Sequence, residues 1–455
     1  MRKTHTCQPS LQEAWLDLEH AKELRTISAI LDRDPRINEL ILQDLRAASG
    51  SNRPTGAEGM SAECVLRALM IKQMHGFSYR ELRFHLADSR TFRAFCRLGV
   101  GDGAPSKSAL CRNIKAVRAQ TLEKINRILV QVAAEEGIEN GRKVRVDTTG
   151  AECNIHHPTD SELLWDCVRV LVRLMSRARE ILGADVVQFA DRSRRAKRRR
   201  KQINTNKRRR GRKRAYRDLL SVAAETHRYG VDVREVLGSH HQAGIMEGAP
   251  LNAIASELEH YLPLMEQVME QTRRRVLAGE RVPTADKIVS IFEPHTDILV
   301  KDGSGPIYGH KVCLTAGASC MVLDCVVLQG NPADSTLAVQ MIDRQVQIYG
   351  KAPVQAAYDG AFASLDNLAA IKARGVQDVV FAKRRGLQVC EMARSAWVYK
   401  RLRNFRAGVE GIISFLKRVF GLSRCTWRSL PSFQSYVWSS VVACNLMVMA
   451  RHLML

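Results

Sequence analysis

The fold is decided by the stretch Lys143-Val144-Arg145-Val146-Asp147, in which charged and apolar side chains alternate. A period of two is typical of a β-strand with one buried face. We predict that this strand ends on the carboxylate of Asp147. Helical patterns precede it, so the strand marks the point where an all-helical region gives way to an α/β region.

A second short strand, residues 354–359, also ends in an aspartate, Asp359. Ligand sites in open α/β sheets gather at the carboxyl ends of strands, so we expect both aspartates at one edge of a sheet. Helices are predicted after Asn331, after Ser364 and from about Trp397 to Phe420. Further strands are predicted at 287–291, 297–301, 308–314, 321–327 and 378–381. This order favours an α/β core with a mixed sheet.

A third carboxylate, Glu410, lies on the last of these helices beside three cations. Arg403, Arg406 and Lys417 fall within roughly 60° of Glu410 around the helix. A separate apolar stripe is expected to dock on the sheet, so that the charged stripe faces the two aspartates. That apolar stripe consists of Val409, Ile412, Ile413, Leu416 and Phe420.

Three carboxylates suit Mg²⁺ or Mn²⁺, which are hard cations that retain water and accept phosphate oxygens. Two such ions would clamp the attacking and leaving oxygens of a displacement at phosphorus. The neighbouring cations Arg403, Arg406 and Lys417 would then hold the flanking phosphates. Spacing alone leaves an alternative, in which Arg406 and Glu410 form an ordinary i,i+4 surface pair worth about 0.3–0.5 kcal/mol.

The charge balance points to a polyanionic partner. The chain has 70 Lys and Arg against 47 Asp and Glu, a formal charge of +23. An extreme basic run covers residues 192–214 and has no aromatic residue before Tyr216, so it favours phosphate binding or solvation over base stacking. The cations expected to bind DNA there are Arg198, Arg199, Arg200, Lys207, Arg208 and Arg209. Composition alone also allows a ribosome-like or membrane-surface protein.

Residues 60–120 form short predicted helices joined by tight turns. Ser78 and Glu81 have the spacing of a capping box, and so do Thr159 and Glu162 at the start of a later, long helix. Exposed cations on the short helices suit a helix-turn-helix reader of DNA, with a plain helical bundle as the alternative. These cations are Arg80, Arg83, Lys107, Arg112 and Lys115.

Several other features narrow the class of protein. The 12 cysteines contain no C-x-x-C pair, which favours reduced, buried thiols over a zinc ribbon or a disulfide scaffold. The apolar stretch 436–455 carries Arg451 and His452, so we predict a core-packing helix and no membrane span. The adjacent His156 and His157 point in opposite directions on an extended segment, and we interpret them as structural.

Four groups of motifs carry a family resemblance. Arg406, Glu410 and Lys417 match the last three members of a Y-R-E-K signature in type and spacing, while Arg403 stands at the place of the Tyr. Residues 146–149 and 358–362 resemble the family's two aspartate motifs, with Ala361 where Gly is usual. Residues 157–164, 287–295 and 308–312 match its intervening segments, and residues 70–86 resemble its N-terminal helical domain. The chain therefore resembles DDE transposases of bacterial insertion sequences, particularly the Y-R-E-K group and, within it, the class called ISNCY.

The resemblance spans about residues 60–450. It implies an RNase H-like catalytic fold in which Asp147, Asp359 and Glu410 are the metal ligands. The N-terminal helical DNA-binding domain would be 1–140, with a helix-turn-helix-like part at 60–120. The catalytic core would be 141–160 plus 285–455, and 161–284 would be a basic helical insertion.

The resemblance also implies an activity and its partners. The expected reaction is cleavage at the ends of an insertion sequence followed by strand transfer, with Mg²⁺ or Mn²⁺ as cofactor. The partners would be double-stranded DNA, both terminal inverted repeats and target, and a second copy of the chain pairing two DNA ends. The expected location is the bacterial cytoplasm, at the nucleoid. Two alternatives are a non-catalytic DNA-binding protein or repressor and a nuclease that cuts without joining.

Overall fold

In a computed structural model, the contacts divide the chain into two units. The core unit is Met1–Asn154 with Gly309–Leu455, and the inserted unit is Ile155–Tyr308. The predicted three-part division at 1–140, 141–160 plus 285–455, and 161–284 remains a prediction. The structure describes residues 2–5, 18–49, 59–99, 101–239, 245–300 and 305–455.

Helices α1 to α7 precede the first strand of the core unit. Ser61 caps α3 by accepting a hydrogen bond from the N–H of Cys64, and Gly76 ends it in the left-handed region, at φ 65°. The predicted capping box of α4 is confirmed, because Ser78 and Glu81 each accept a backbone N–H of the other. The seven helices are α1 (Glu19–Asp32), α2 (Arg36–Ser49), α3 (Ala62–His75), α4 (Tyr79–Asp88), α5 (Arg90–Phe95), α6 (Lys107–Ala116) and α7 (Ala119–Glu135).

The core unit contains a mixed sheet in the strand order β4-β3-β1-β5-β6. Strand β1 pairs antiparallel with β3 and parallel with β5, and β5 pairs parallel with β6. The mixed α/β class and the helical N-terminal region are therefore confirmed. The strands are β1 (Lys143–Glu152), β3 (Ile307–Ala316), β4 (Val322–Val327), β5 (Gln355–Tyr358) and β6 (Asp378–Phe381).

The prediction that the first strand ends at Asp147 is wrong. Strand β1 continues to Glu152, because the antiparallel ladder with β3 extends to the pair Glu152 and Gly309. The parallel ladder with β5 stops earlier, at the pair Val146 and Tyr358. Asp147 thus lies where its parallel neighbour ends, which still places it at the carboxyl edge of β5.

Five further helices complete the core unit. The last of them, α16, is long and apolar enough to cross a membrane by length and composition, but 89% of its most apolar window is buried. It packs on α1, α3 and α7, which confirms the predicted core-packing helix. The five are α12 (Ala338–Tyr349), α13 (Leu365–Ala373), α14 (Val389–Met392), α15 (Ala396–Arg418) and α16 (Leu430–Leu453).

The described residues of the inserted unit, 155–239, 245–300 and 305–308, form mainly four helices and one short strand. The helices share an apolar core, and a π-helical turn, Arg273–Ala278, follows the last of them. The basic run lies on α9 and the start of α10. The elements are α8 (Asp160–Leu182), α9 (Ser193–Thr205), α10 (Arg209–Ser239), α11 (Ile245–Thr272) and β2 (Asp297–Leu299).

Two sequence predictions in this unit are wrong. Residues 287–291 form no strand, because the side-chain amide of Gln271 accepts the N–H of Ile288 and donates to its carbonyl, replacing a neighbouring strand. The second capping box forms only in part. Thr159 accepts the N–H of Glu162, but the Glu162 carboxylate is bonded to Arg200. The predicted strand 297–301 is confirmed over Asp297–Leu299, and Lys301 lies outside the described residues.

A pair of buried asparagines ties the helices of the core unit to the edge of its sheet. Asn445 on α16 accepts the N–H of Val322 at 2.8 Å and donates to its carbonyl at 2.7 Å. It also donates to Asn126 on α7, whose own amide reaches the carbonyl of Leu323. Both side chains are fully buried. The end of β4 is thereby bonded to an N-terminal and a C-terminal helix at once.

We predict that Asn445→Ala lowers the free energy of unfolding by about 1–3 kcal/mol, since the buried N–H of Val322 loses its partner. Urea denaturation measures the change. Asn404→Ala, the same substitution at an exposed position of α15, should stay within about 0.5 kcal/mol of the parent. Equal stabilities for the two variants would show that the asparagine pair does not support the fold.

Candidate active site

Helix α15 places Glu410 over the sheet. Ser395 caps the helix by accepting the N–H of Val398, and the helix packs on β1, β5 and β6. The predicted apolar stripe docks as expected, although Ile413 is only half-buried. The buried side chains of the helix are Val398, Leu402, Val409, Ile412 and Leu416.

The two aspartates lie on neighbouring parallel strands. Asp147 follows Val146 in β1, and Asp359 follows Tyr358 at the end of β5, so the register sets them side by side. One oxygen of Asp147 accepts the N–H of Thr148 at 2.8 Å, which fixes the orientation of the carboxylate. Asp359 precedes a 3₁₀ turn that carries the chain away from the sheet.

One guanidinium, that of Arg406, joins all three predicted carboxylates. Its Nη2 lies 2.8 Å from Oδ2 of Asp147 and 3.3 Å from Oδ1 of Asp359. Its Nη1 lies 3.1 Å from Oε1 of Glu410. The structure therefore brings together the three acidic residues that the sequence singled out. Their separation along the chain shows that the fold, rather than local sequence, assembles them.

Exposure is graded across this cluster. The side chain of Asp147 is 11% exposed, that of Asp359 38% and that of Glu410 70%, while Arg406 is 14% exposed. The site therefore has a closed end at β1 and an open end at α15. A ligand from solvent would first meet Glu410 and Asp359.

The donor chemistry of this cluster fits a hard divalent cation, because all three ligands offer carboxylate oxygens. Their oxygens are not all within 4.8 Å of one another among the described residues, so the carboxylates do not yet form a metal cage. The space between them holds the Arg406 guanidinium. An ion could bind all three ligands only after this side chain moves.

Arg145 seats α15 on β1 in a way that the sequence analysis missed. This buried side chain donates to the carbonyl of Phe405 at 2.9 Å and lies over the Phe405 ring, 4.5 Å from its centre. Gly408 is packed directly against it, and an added Cβ there would overlap Nη1 of Arg145. The close approach of the helix to the strand therefore requires a residue without a side chain at 408.

A basic turn beside Asp359 was also missed. Lys383, Arg384 and Arg385 follow β6 and are all exposed, with no ion pair to any described residue. Strand β6 lies next to β5, and the Lys383 side chain packs against Gly360, the residue after Asp359. Arg385 has a φ of 47°, an uncommon conformation for a side chain of this size. The sequence signal that could have identified this basic turn was the run of three consecutive cations that follows the predicted strand 378–381 after one alanine.

The other predicted DNA-binding residues of the core unit lie on three helices. Arg403 is exposed and Lys417 half-buried, both on the charged side of α15. Arg80 on α4 and Lys107 on α6 are exposed. Among the described residues, no ion pair joins Arg403, Arg80 or Lys107 to the three carboxylates. Arg406 is the predicted cation that contacts all three of them.

The basic run of the inserted unit divides into two faces. Arg199 is paired with Asp218, and Arg200 lies 2.7 Å from Glu162, so these two predicted DNA contacts are engaged within the unit. Ala196 and Ile203 are buried on the same side, so one face of α9 contributes to the apolar core of the unit. Predicted contacts Lys207, Arg208 and Arg209 are exposed.

The outward side of α9 carries what we call the α9 stripe. Its four members are exposed and make no ion pair with any residue that the structure describes. Their spacing of three and four residues puts them on one face of the helix. They are Arg194, Lys197, Arg198 and Lys201.

Two family models match the chain. A model described as Transposase domain (DUF772) matches residues 12–116, and one described as Transposase DDE domain matches residues 301–446. The two matches support an insertion-sequence transposase. The second match includes Asp359, Arg406 and Glu410, whereas Asp147 lies outside both. No curated protein and no solved structure matches the chain.

Three properties of transposases bear on the site described above. DNA binding is inherent in the function of transposases, so the two matches support a DNA partner. A DDE domain suggests transposition by DNA cleavage and strand transfer. DDE transposases use divalent metal ions, which agrees with the donor chemistry of the three carboxylates.

We predict opposite effects from two glycine substitutions in α15. Gly408→Ala should lower the free energy of unfolding by about 1–3 kcal/mol, because Arg145 must give up its bond to the Phe405 carbonyl. Gly411→Ala, with nothing within 4 Å of the added Cβ, should raise it by up to about 1 kcal/mol through helix propensity. Thermal and urea unfolding measure both. A stabilised Gly408→Ala variant would contradict the close seating of α15 on β1.

Proposed function

We propose that this protein is a DDE transposase that cleaves DNA at the ends of an insertion sequence and transfers the freed strand to target DNA. The observation that carries the proposal is the meeting of Asp147, Asp359 and Glu410 around the Arg406 guanidinium. Mg²⁺, with Mn²⁺ as a substitute, is the proposed cofactor, and the three carboxylates are its proposed ligands. Divalent ions bound there would activate the attacking oxygen and stabilise the leaving one.

The proposal includes an RNase H-like catalytic core. A mixed sheet with carboxylates beside the end of β5 and on a helix packed against β1, β5 and β6 supports that fold. Membership of the Y-R-E-K group rests on Arg406, Glu410 and Lys417. Arg403, in place of the Tyr, would contribute a phosphate contact.

The reaction has two displacements at phosphorus. In the first, water attacks a phosphodiester at the end of the element and releases a 3′-hydroxyl. In the second, that hydroxyl attacks a phosphodiester of target DNA, and the target's own 3′-oxygen leaves. Both need positioning and charge neutralisation more than covalent catalysis, which suits a site made of carboxylates with cations around it.

The residues of the chain would divide these tasks. Asp147, held by the Thr148 N–H at the closed end, is the fixed point of the site. The basic turn Lys383–Arg385 lies at the Asp359 side and would hold phosphates of the strand being cut. Lys417, on the charged side of α15, would hold phosphates beyond Glu410. None of these contacts reads base sequence.

Sequence reading would belong to the N-terminal helices. Arg80 on α4 and Lys107 on α6 are exposed, as a DNA-facing surface requires. The inserted unit would add affinity without sequence preference through the α9 stripe. A homodimer that holds the two terminal repeats of one element is part of the proposal.

Substitution of the carboxylates tests the proposal. Asp147→Asn, Asp359→Asn and Glu410→Gln should each reduce cleavage and joining at least about a hundredfold, with DNA binding retained. The assay incubates protein, DNA carrying the element's ends, Mg²⁺ and a plasmid, and counts joined products. Asp366→Asn, an exposed carboxylate on α13, is the matched control and should keep full activity.

Each other outcome assigns a different function. Cutting without joined products would indicate a plain nuclease. Binding of end DNA by the parent protein without any cutting would indicate a DNA-binding protein or repressor. Full activity in the three carboxylate variants would place the chemistry elsewhere in the chain.

The α9 stripe gives a second test, in the salt dependence of binding to a mixed-sequence DNA duplex. Arg194→Gln with Arg198→Gln should lower the slope of log affinity against log salt by about 1.8, since two phosphate contacts are lost. Arg195→Gln with Arg199→Gln removes the same charge from residues already paired with Asp218. Its slope should change little. Equal changes in the two double variants would show that the outward stripe is not the DNA contact.

A further inference from the structure

Arg406 is more deeply involved in the acidic cluster than a surface ion pair would be. An ordinary i,i+4 pair on α15 would join it to Glu410 alone. Instead its Nη2 reaches down to both aspartates, and the side chain is 14% exposed. The guanidinium therefore occupies the position from which a single cation touches every carboxylate of the cluster.

The hydrogen bonding of Arg406 is incomplete. Its Nε is buried and has no hydrogen-bond partner among the described residues. A buried N–H without a partner is costly, so this donor does not help to hold the side chain in place. Three carboxylates against one guanidinium also leave these four side chains with a formal charge of −2. The guanidinium therefore holds the carboxylates together without balancing their charge.

We propose that Arg406 is the resident counter-cation of this site and that a divalent ion must displace it to reach the carboxylate oxygens. The inference rests on the proposed function, since it takes the three carboxylates as metal ligands. Without Arg406, mutual repulsion would spread three anions on β1, β5 and α15 apart. With Arg406 in place they stay close together, but their oxygens are engaged. Arg406 is thus a positioning residue that competes with the metal.

A consequence concerns the DNA. Once displaced, the guanidinium remains attached to α15, on the same side of the helix as Arg403 and Lys417. A phosphate of bound DNA would accept it there, since guanidinium and phosphate form paired, charge-assisted hydrogen bonds. DNA binding would then favour metal binding, and by linkage metal binding would favour DNA binding to the same extent. Chemistry would be suppressed until DNA is present.

Mn²⁺ binding tests the proposal without any measurement of activity. The full-length protein, free of DNA, is titrated with Mn²⁺, and free Mn²⁺ is followed by electron paramagnetic resonance. Arg406→Gln should bind Mn²⁺ at least about tenfold more tightly than the parent, because no charge-assisted bonds need breaking. Arg406→Lys should lie between the two, since one ammonium replaces fewer of these bonds. If the Arg406→Gln variant does not fold, the comparison of Mn²⁺ affinity between Arg406→Lys and the parent tests the proposal.

Arg403→Gln is the matched control. It removes the same charge from the same side of the same helix, at an exposed residue that no ion pair joins to the carboxylates in the described structure. Its affinity for Mn²⁺ should change less than about twofold, because solvent screens exposed charges. A gain equal to that of Arg406→Gln would mean that net charge, and not displacement, controls binding.

Two results would overturn the inference, and they differ in what else they affect. If the parent binds Mn²⁺, Asp147→Asn abolishes that binding, and Arg406→Gln binds no more tightly, Arg406 is not a competitor and the proposed function stands. If neither the parent nor any Arg406 variant binds Mn²⁺, the metal site fails together with the inference.

Discussion

Three like charges held near one another need a cation between them, and this electrostatic requirement governs the candidate active site. The fold places Asp147, Asp359 and Glu410 on two strands and a helix, where their repulsion opposes the packing of α15 on the sheet. The guanidinium of Arg406 offsets that repulsion with contacts of 2.8, 3.1 and 3.3 Å. A protein that is to bind divalent ions must hold such a cluster ready before the ions arrive. In the proposed metal site, one arginine from the same helix as Glu410 would serve that purpose.

The scaffold fixes each member of the cluster by a different means. Parallel pairing of β1 with β5 sets the two aspartates side by side, at the point where that ladder ends. Arg145 and Gly408 set how closely α15 approaches β1. The asparagine pair Asn126 and Asn445 holds the sheet edge against helices from both ends of the chain. The geometry of the site therefore depends on contacts throughout the core unit.

The sequence predicts those parts of the fold and of the candidate site that depend on residues close together in the chain. Alternation at 143–147, the strand before Asp359 and the charged stripe of the last long helix identified the three carboxylates. The resemblance to DDE transposases then joined them into one set, and the family matches support a transposase. The spacing of Arg406 and Glu410 predicted their pairing. It could not predict that Arg406 also bonds both aspartates, because those contacts span more than forty residues in one case and more than two hundred in the other.

The predictions that failed in the inserted unit share a physical cause, which is replacement of a local partner by a distant side chain. Gln271 satisfies the backbone of Ile288 and removes the strand expected at 287–291. Arg200 takes the carboxylate of Glu162 and leaves a capping box half-made. Asp218 pairs with both Arg195 and Arg199, so that only part of the basic run faces outward without a partner. A single sequence shows which polar and charged groups need hydrogen-bond or ion-pair partners. The tertiary fold determines which residues serve as those partners.

Iron-directed cleavage of the protein's own backbone tests whether Asp147, Asp359 and Glu410 share divalent ions. Fe²⁺ bound in place of Mg²⁺, with ascorbate and peroxide, releases hydroxyl radicals that cut the chain within a few ångströms of the ion. Shared ions should give cuts near residues 147, 359 and 410 together, all suppressed by excess Mg²⁺. Cuts at only one of these positions, or at an unrelated set that Mg²⁺ suppresses, would contradict shared binding by the three carboxylates.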